Sequence, residues 1–444
     1  MPFIPHNEAE RAAMLQVVGA ASLDDIFSHI PAALRTSGLR LPPALSELEL
    51  LRHGGELARR NQASGELVLF LGAGAYDHVI PAAVDELSHR PEFYTAYTPY
   101  QPEISQGGLQ AIYEYQTMIA SLAGLDVANA SLYDGATAAH EAVLLAVHHT
   151  GRRKVLVDGA VNPRYRSALR SYARNLDIEL VECAAGAEGG QSAGLVDETV
   201  AGAVVQLPDF FGRLCDFSAL ADRLHRSKGL LIVVLNPLAT AVVKSPGEMG
   251  ADVACGEAQP FGLPLSAGGP YLGFIAARNS LVRKLPGRLS GATVDGQGRR
   301  GFVLTLQARE QHIRREKANS NICSNQALCA LRAAMFLALL GRQGLREMAE
   351  QCLAKTAYAK SLLAAIPGCA LQLDGPGFHE FVLKLPAPAE RVFSELLGRG
   401  IAPGLPLGRH YPDMQDCLLI CVTEKRTKAE IDRLAAELRA CLGR

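Results

Sequence analysis

Apolar and polar positions along most of this chain follow two periods that take turns, one of two residues and one near 3.6. Asn129–Leu132 is short and extended, and an Ala-rich helix is predicted from Gly135 to about His149. Lys154–Val157 then reads as a strand, Arg164–Arg174 as a helix and Ile178–Val181 as a strand. Gly202–Leu207, the helix Phe217–His225 and the strongly apolar strand Leu230–Leu235 follow. Ala251–Cys255 and Tyr271–Ala276 complete the set. Strands joined by helical crossovers predict an α/β fold with a mainly parallel sheet covered on both faces.

After Ala318 the pattern changes. Long helices are predicted at Gln326–Leu340 and Gly344–Ile366, with strands at Cys369–Leu373 and His379–Leu383. A helix Ala389–Leu397, a strand Cys417–Val422 and a closing helix Lys428–Cys441 make this a smaller α+β domain. Glu66–Leu71 is a strand candidate, and Ala184–Gly194 a Gly-rich surface loop. Ahead of them, Ser22 and Ser46 are good N-caps for short helices over Leu23–Phe27 and Glu47–Arg59. The expected organisation is an arm with helices over 1–63, a large α/β domain over 64–325 and a small domain over 326–444. A partly apolar helical arm usually packs on something, often a second subunit.

One stretch obeys neither period. Phe93 to Gly108 carries four aromatics, two prolines, a carboxylate and two amides, and ends in a Gly pair. Pro99 and Pro102 forbid a helix interior and push Thr98 and Gln101 toward extended geometry. The segment is therefore stiff and presents hydroxyl, amide and carboxylate groups before a helix carrying Leu109, Ile112, Ile119 and Leu122. Gly72-Ala73-Gly74-Ala75-Tyr76 imitates a dinucleotide fingerprint, but its third glycine is missing and Pro81 follows. Gly135-Ala136-Thr137 at a helix amino terminus suits an anion, and suits simple capping by Asp134 or Thr137 equally.

Totals narrow the classes. The chain has 444 residues and a formal net charge of −1, so nothing suggests a nucleic-acid or anionic-membrane partner. No apolar run approaches the roughly 20 residues of a membrane span. Met1–Glu8 lacks a basic region and an apolar core, so no export signal is expected. Ten cysteines are scattered without a Cys-x-x-Cys pair, and no His and Cys cluster at ligand spacing. No metal is expected, and free thiols suit a reducing cytoplasm.

Several longer motifs carry a resemblance. They are Phe3-Ile4-Pro5-His6, Phe70 through Asp77, Tyr94 through Gly108, Gly256-Glu257-Ala258-Gln259-Pro260-Phe261-Gly262, and Arg315 through Cys323. End to end, the chain resembles the alpha-type subunits of split glycine dehydrogenases (decarboxylating), the P-proteins of the glycine cleavage system. The resemblance implies the pyridoxal-phosphate (PLP) fold of the aspartate aminotransferase type. It also implies a second, beta subunit that carries the cofactor lysine. The complex would decarboxylate glycine and pass the aminomethyl group to the lipoyl arm of the H-protein.

Electronic requirements are then checked on the residues. A PLP enzyme needs a lysine and usually an acid facing the pyridine nitrogen. Leu230–Leu235 ends in Asn236, not an acid, and Ala251–Pro260, which includes Gln259, holds no lysine. Lys244 and Lys284 are the nearest, and each reads as a surface lysine; Lys284 falls in a basic segment Arg278–Arg288. Gly135, Thr137, Asn236 and Gln259 thus mark a degenerate pseudo-site. Across a pseudo-twofold interface, Tyr97, Tyr100, Gln101, Glu103 and Ser105 would shape the partner's glycine pocket or the lipoyl entry. Asn319, Ser320 and Asn321 would hydrogen-bond the partner's PLP phosphate, unless Ser320 merely caps a helix and the tyrosines merely pack. Two other classes stay open: a non-catalytic scaffold or regulatory subunit, and a free-standing PLP decarboxylase or aminotransferase, which the absent lysine opposes.

Overall fold

Seven strands form the sheet on which the larger part of the molecule is built. In chain order they are β1 (Val127–Ala128), β2 (Lys154–Asp158), β3 (Glu179–Cys183), β4 (Val200–Leu207), β5 (Leu230–Leu235), β6 (Val253–Glu257) and β7 (Gly273–Ala277). Their order across the sheet is β1-β7-β6-β5-β4-β2-β3. β7 runs antiparallel to both neighbours, and every other pair is parallel. β5 is buried at all six positions, which is why its sequence is apolar without alternation. The computed structural model describes residues 6–36, 38–93, 97–185, 192–373 and 375–443. The predicted features at Phe3–Pro5, at Tyr94–Ala96 and over 186–191 of the Gly-rich loop lie outside the described residues.

The chain divides into two units, Met1–Gln62 and Ala63–Arg444. In the smaller unit, helices span Glu8–Val18, Leu23–Ile26 and Glu47–Ala58. Asn7, Ser22 and Ser46 cap them, each in a reciprocal box with the acid three residues on. The pattern had predicted the second and third of these; the first has only a weak apolar face.

In the larger unit the long helix is Ala327–Ala364, bent where Gly341 takes φ 60° and ψ −173°. That left-handed residue explains why the sequence reads as two helices. By length and composition this helix is apolar enough to cross a membrane. Here it is a core element: Ala330, Ala333 and Phe336 are fully buried, and it packs on the helices Gln106–Ala123 and Ala82–Ser88. Strands Ala370–Gln372, Glu380–Lys384, Cys417–Cys421 and Leu405–Pro406 form a second, antiparallel sheet. Val68–Leu69, predicted as part of a longer strand, pairs in parallel with Ile401–Ala402.

One element was not anticipated. Leu289–Val294 and Arg300–Thr305 form an antiparallel hairpin. Its turn is held by Asp295, whose carboxylate accepts the N–H groups of Gln297 (2.9 Å) and Arg299 (2.9 Å). Asp295-Gly296 between two runs of strand-forming residues is a hairpin signal. Two glutamines of the helix Gln106–Ala123 fasten it. Gln116 Oε1 accepts from Ser290 N (2.9 Å) while Gln116 Nε2 donates to Ser290 O (3.0 Å). Gln106 brackets Phe302 in the same way, at 2.8 and 2.9 Å. Replacing buried Gln116 by Leu leaves both Ser290 groups unpaired. We expect a loss of about 2–3 kcal/mol, read as a lower urea midpoint with an unchanged m value.

Candidate functional site

Parallel strands leave a crevice at their carboxyl ends, and here the crevice opens where the chain order reverses between β2 and β4. Asn162 follows β2, and its N–H donates to Gln206 Oε1 of β4 (2.8 Å). Asn236 follows β5, and Glu257 ends β6. Gly72–Ala75 passes over these ends, and a cleft of about 480 Å³ lies between them, the amino terminus of the helix Gly135–Thr150, and Arg409.

Of the four pseudo-site residues, Gly135 lines this cleft, Asn236 lines an adjoining pocket with Asn162 and Glu257, and Thr137 follows in the helix; each is engaged by the chain itself. The Gly135 N–H donates to Glu257 Oε2 (3.0 Å). A Cβ at Gly135 would collide with the Tyr165 hydroxyl, so this close approach requires glycine. Thr137 N donates to Asp134 Oδ1 (2.8 Å), and the Thr137 hydroxyl contacts the same carboxylate at 2.8 Å. Capping, rather than an open anion cradle, is therefore what this turn does. Asn236 Nδ2 lies 2.9 Å from His379 Nε2, while its Oδ1 accepts from Leu238 N (3.1 Å). Gln259 does not line the cleft. It is 1 % exposed and brackets Tyr76, accepting from Tyr76 N (2.8 Å) and donating to Tyr76 O (2.9 Å) and Leu263 O (2.7 Å).

Glu257 is the residue that the sequence reading passed over. Its carboxylate accepts three backbone N–H groups, from Gly135, Gln259 (3.0 Å) and Leu272 (2.7 Å). Burial pushes it up to about 7 despite those donors. PLP does not fit this cleft. A carboxylate already holds the helix N–H that a phosphate would take, an amide stands at the end of β5, and neither nearby lysine reaches it. Lys244 is exposed and pairs with Asp216 (3.4 Å) and Ser218 (3.0 Å). Lys284 donates to His148 O (2.9 Å), near the carboxyl end of the helix that starts at Gly135.

The outward-facing candidates lie elsewhere in the larger unit. Tyr97, Tyr100, Gln101 and Glu103 are exposed, whereas Ser105 is buried. Tyr97 and Ser105 line a groove of about 420 Å³ with Leu328 and Leu331. Tyr100 turns toward Arg288, a residue the sequence left in a basic segment. Arg288 is only 7 % exposed and joins the two long motifs. Its Nη2 donates to the Tyr100 hydroxyl (3.2 Å) and to Cys323 O (2.6 Å), and its guanidinium lies over the Tyr100 ring at 5.6 Å. Ser320 caps a turn instead of a helix: its Oγ accepts from Ile322 N (3.1 Å), and it hydrogen-bonds Glu141. Among the described residues, the Asn319 and Asn321 side chains have no hydrogen-bond partner. Folding also brings together His78, Cys352 and Glu424, whose ligand atoms lie within 4.8 Å of one another. They are closed by their own contacts, His78 Nδ1 to Glu424 Oε2 at 2.6 Å and Val79 N to Glu424 Oε1 at 2.7 Å.

Burial pushes Glu257, Glu380 and Glu141 each up to about 7. An unfolded Glu titrates near 4.3. Between these values the folded chain keeps protons that the unfolded chain has released, so stability falls as pH rises from about 5 to 7 and then levels off. Urea titrations across that range check the slope. Glu257→Gln should make it shallower. It should also destabilise the fold by about 1–3 kcal/mol, since one amide oxygen cannot serve all three N–H donors.

The chain is similar to known proteins along its whole length. The sequence pattern of the glycine cleavage system P-protein family matches residues 1–438. A probable glycine dehydrogenase (decarboxylating) subunit 1 from Desulforamulus reducens is 52% identical over 444 residues, 99% of this chain and 100% of that protein. One of the same description from Moorella thermoacetica is 51% identical over 448 residues, the whole of both chains. A crystal structure of glycine decarboxylase (P-protein) of the glycine cleavage system, in inhibitor-bound form, superposes with a TM-score of 0.91 at 44% identity, covering 100% of each chain. An aspartate aminotransferase of subgroup IV from Thermus thermophilus shares the fold, with a TM-score of 0.57 at 17% identity over 85% of this chain and 99% of that one. The chain has the PLP-dependent aminotransferase-like fold, and it belongs to the family of glycine cleavage system P-proteins.

Proposed function

We propose that this chain is one half of a split glycine decarboxylase and is inactive alone. With a second subunit it decarboxylates glycine and passes the aminomethyl group to the lipoyl arm of an H-protein. PLP, held by a lysine of that second subunit, supplies the electron sink for the chemistry. This chain contributes from its surface: Tyr97, Tyr100, Gln101, Glu103 and Ser105 toward the glycine pocket or lipoyl entry, and Asn319, Ser320 and Asn321 toward the cofactor phosphate.

What carries the reading is the chain's own cleft, where Glu257 takes the Gly135 N–H and Asn236 stands at the end of β5. The names of the relatives, which call them subunit 1, support a second subunit. The exposed polar groups beside Arg288 support a contribution across an interface. We place the complex in the cytoplasm, where thiols such as buried Cys255, Cys352 and Cys421 stay reduced. One observation favours the scaffold reading for part of the surface: Ser320 is already hydrogen-bonded within the chain.

The test begins with the purified chain, PLP and borohydride, followed by peptide mapping, and repeats it with the second subunit present. The expected result is no labelled lysine in this chain and one in the other. Stoichiometric labelling of Lys244 or Lys284 would make this chain an enzyme by itself. In the mixed complex, Glu103→Ala and Tyr100→Phe should each lower kcat/KM for glycine at least tenfold with assembly intact. Unchanged activity in both would leave a scaffold.

A further inference from the structure

Eleven buried side-chain N and O atoms of the described residues have no hydrogen-bond partner within the chain, and four of them fall in one place. They are Arg288 Nε, Arg309 Nε, Arg309 Nη2 and Glu310 Oε1. Their three residues line a single cavity of about 20 Å³, with Ser320, Ser324 and Asn325 beside them. Leaving one such group unpaired is costly. Four of them around one cavity point to a ligand.

The pattern of donors is specific. Arg309 Nη1 donates to Leu285 O, which fixes the guanidinium. Its Nε and Nη2 then form the edge that meets an O–C–O group with two parallel hydrogen bonds. Arg288 is fixed as well, through Nη2 to the Tyr100 hydroxyl and Cys323 O, and its side chain is 8% exposed. Its Nε lies 4.0 Å from Glu310 Oε2, too far for a hydrogen bond. Charge points the same way. Two guanidiniums stand beside one carboxylate, which His312 also approaches (Nδ1 to Oε2, 3.7 Å). Burial lowers Arg309 from its ordinary value, with Glu310 opposing, and a second negative charge would oppose it further.

Glu310 Oε1 needs the reverse, a donor. A ligand that answers all four atoms accepts from three N–H groups and donates one O–H. Chloride and acetate have no donor. Dihydrogen phosphate has one, but it is tetrahedral and bulkier. The cavity exceeds what one water needs and is too small for an organic cofactor. We propose that Arg288, Arg309 and Glu310 form a binding site for bicarbonate, its oxygens on the two guanidiniums and its hydroxyl on Glu310 Oε1. The decarboxylation for which the relatives are named releases CO2, which takes up water and loses a proton to give this anion. The site lies wholly within this chain, so it does not depend on the two-subunit reading.

Calorimetric titration of the purified full chain with sodium bicarbonate, acetate, phosphate and chloride tests this, beside urea unfolding with and without each anion. One bicarbonate per chain should bind, at least tenfold more tightly than acetate, with no saturable binding of phosphate or chloride. Bicarbonate should also raise the urea midpoint. Arg309→Lys keeps the charge but loses the two-donor edge, and should raise Kd at least tenfold. Ser324→Asp leaves both arginines in place and sets a carboxylate at the cavity wall. It should block binding equally, whatever the first variant does to the fold. Glu310→Ala should erase the preference for bicarbonate over acetate. The absence of saturable binding would overturn the proposal, leaving the donors to water. So would equal binding of all four anions, or wild-type affinity in both Arg309→Lys and Ser324→Asp. Acetate binding as tightly as bicarbonate to the wild-type chain would overturn it too, making the ligand a plain carboxylate.

Discussion

Backbone N–H and C=O groups that no neighbouring strand pairs must still find partners once they are buried, and three glutamine side chains do that here. A carboxamide offers one acceptor and two donors side by side, so it pairs with a peptide group as a neighbouring strand would. Gln116 and Gln106 bind the hairpin to a helix in this way. Gln259 does it for Tyr76. From the other side, Glu380 accepts from Ala73 N (2.7 Å) and the Tyr76 hydroxyl (2.9 Å). The segment that roofs the cleft is thus clamped between the large sheet and the antiparallel one. Wall positions in the cleft, and the placing of the hairpin that carries Arg288 at its base, both follow from these pairings.

The same demand is met in the cleft at the ends of the parallel strands. A helix amino terminus at the end of a parallel strand presents N–H groups to something negative. In this chain the negative group is internal. Glu257 sits one strand away and reaches the Gly135 N–H, while Asp134 holds the next turn. Asn236 is likewise tied down by His379, whose own ionisation burial suppresses. A buried donor left unpaired is costly, and here each of these groups is engaged by the chain itself.

Much of this could be read before folding was known. The apolar run of β5 and the caps at Ser22 and Ser46 stand where the pattern puts them, because local sequence decides them. So does the break between two long helices, which Gly341 makes by its backbone conformation. What escaped depends on partners distant in sequence. The hairpin was missed because a crossover template leaves no room for two adjacent strands, although Asp295-Gly296 announces a turn. Gln259 looked like a substitute for a functional residue, whereas its partner lies 183 positions away and its role is structural. Arg288 was only the end of a basic segment in the sequence. Its burial is intelligible only once Tyr100 and Cys323 surround it.

Those two contacts also bear on the surface that the proposed complex would use. An interface loop rich in rotamers must be ordered when a partner arrives, and that ordering opposes binding. Phe93–Gly108 avoids part of this by composition, with two prolines that stiffen it. Arg288 adds a second restraint, fixing Tyr100 from below and the Arg315–Cys323 segment beside it with one guanidinium. Both hydrogen bonds leave one nitrogen, and the guanidinium also lies over the Tyr100 ring at 5.6 Å, a contact that its planar, delocalised charge suits. Tyr97, Gln101 and Glu103 are exposed, while Ser105 is buried and Ser320 Oγ accepts from Ile322 N. On the proposed two-subunit reading, the exposed groups with no partner among the described residues are the ones left for the second subunit.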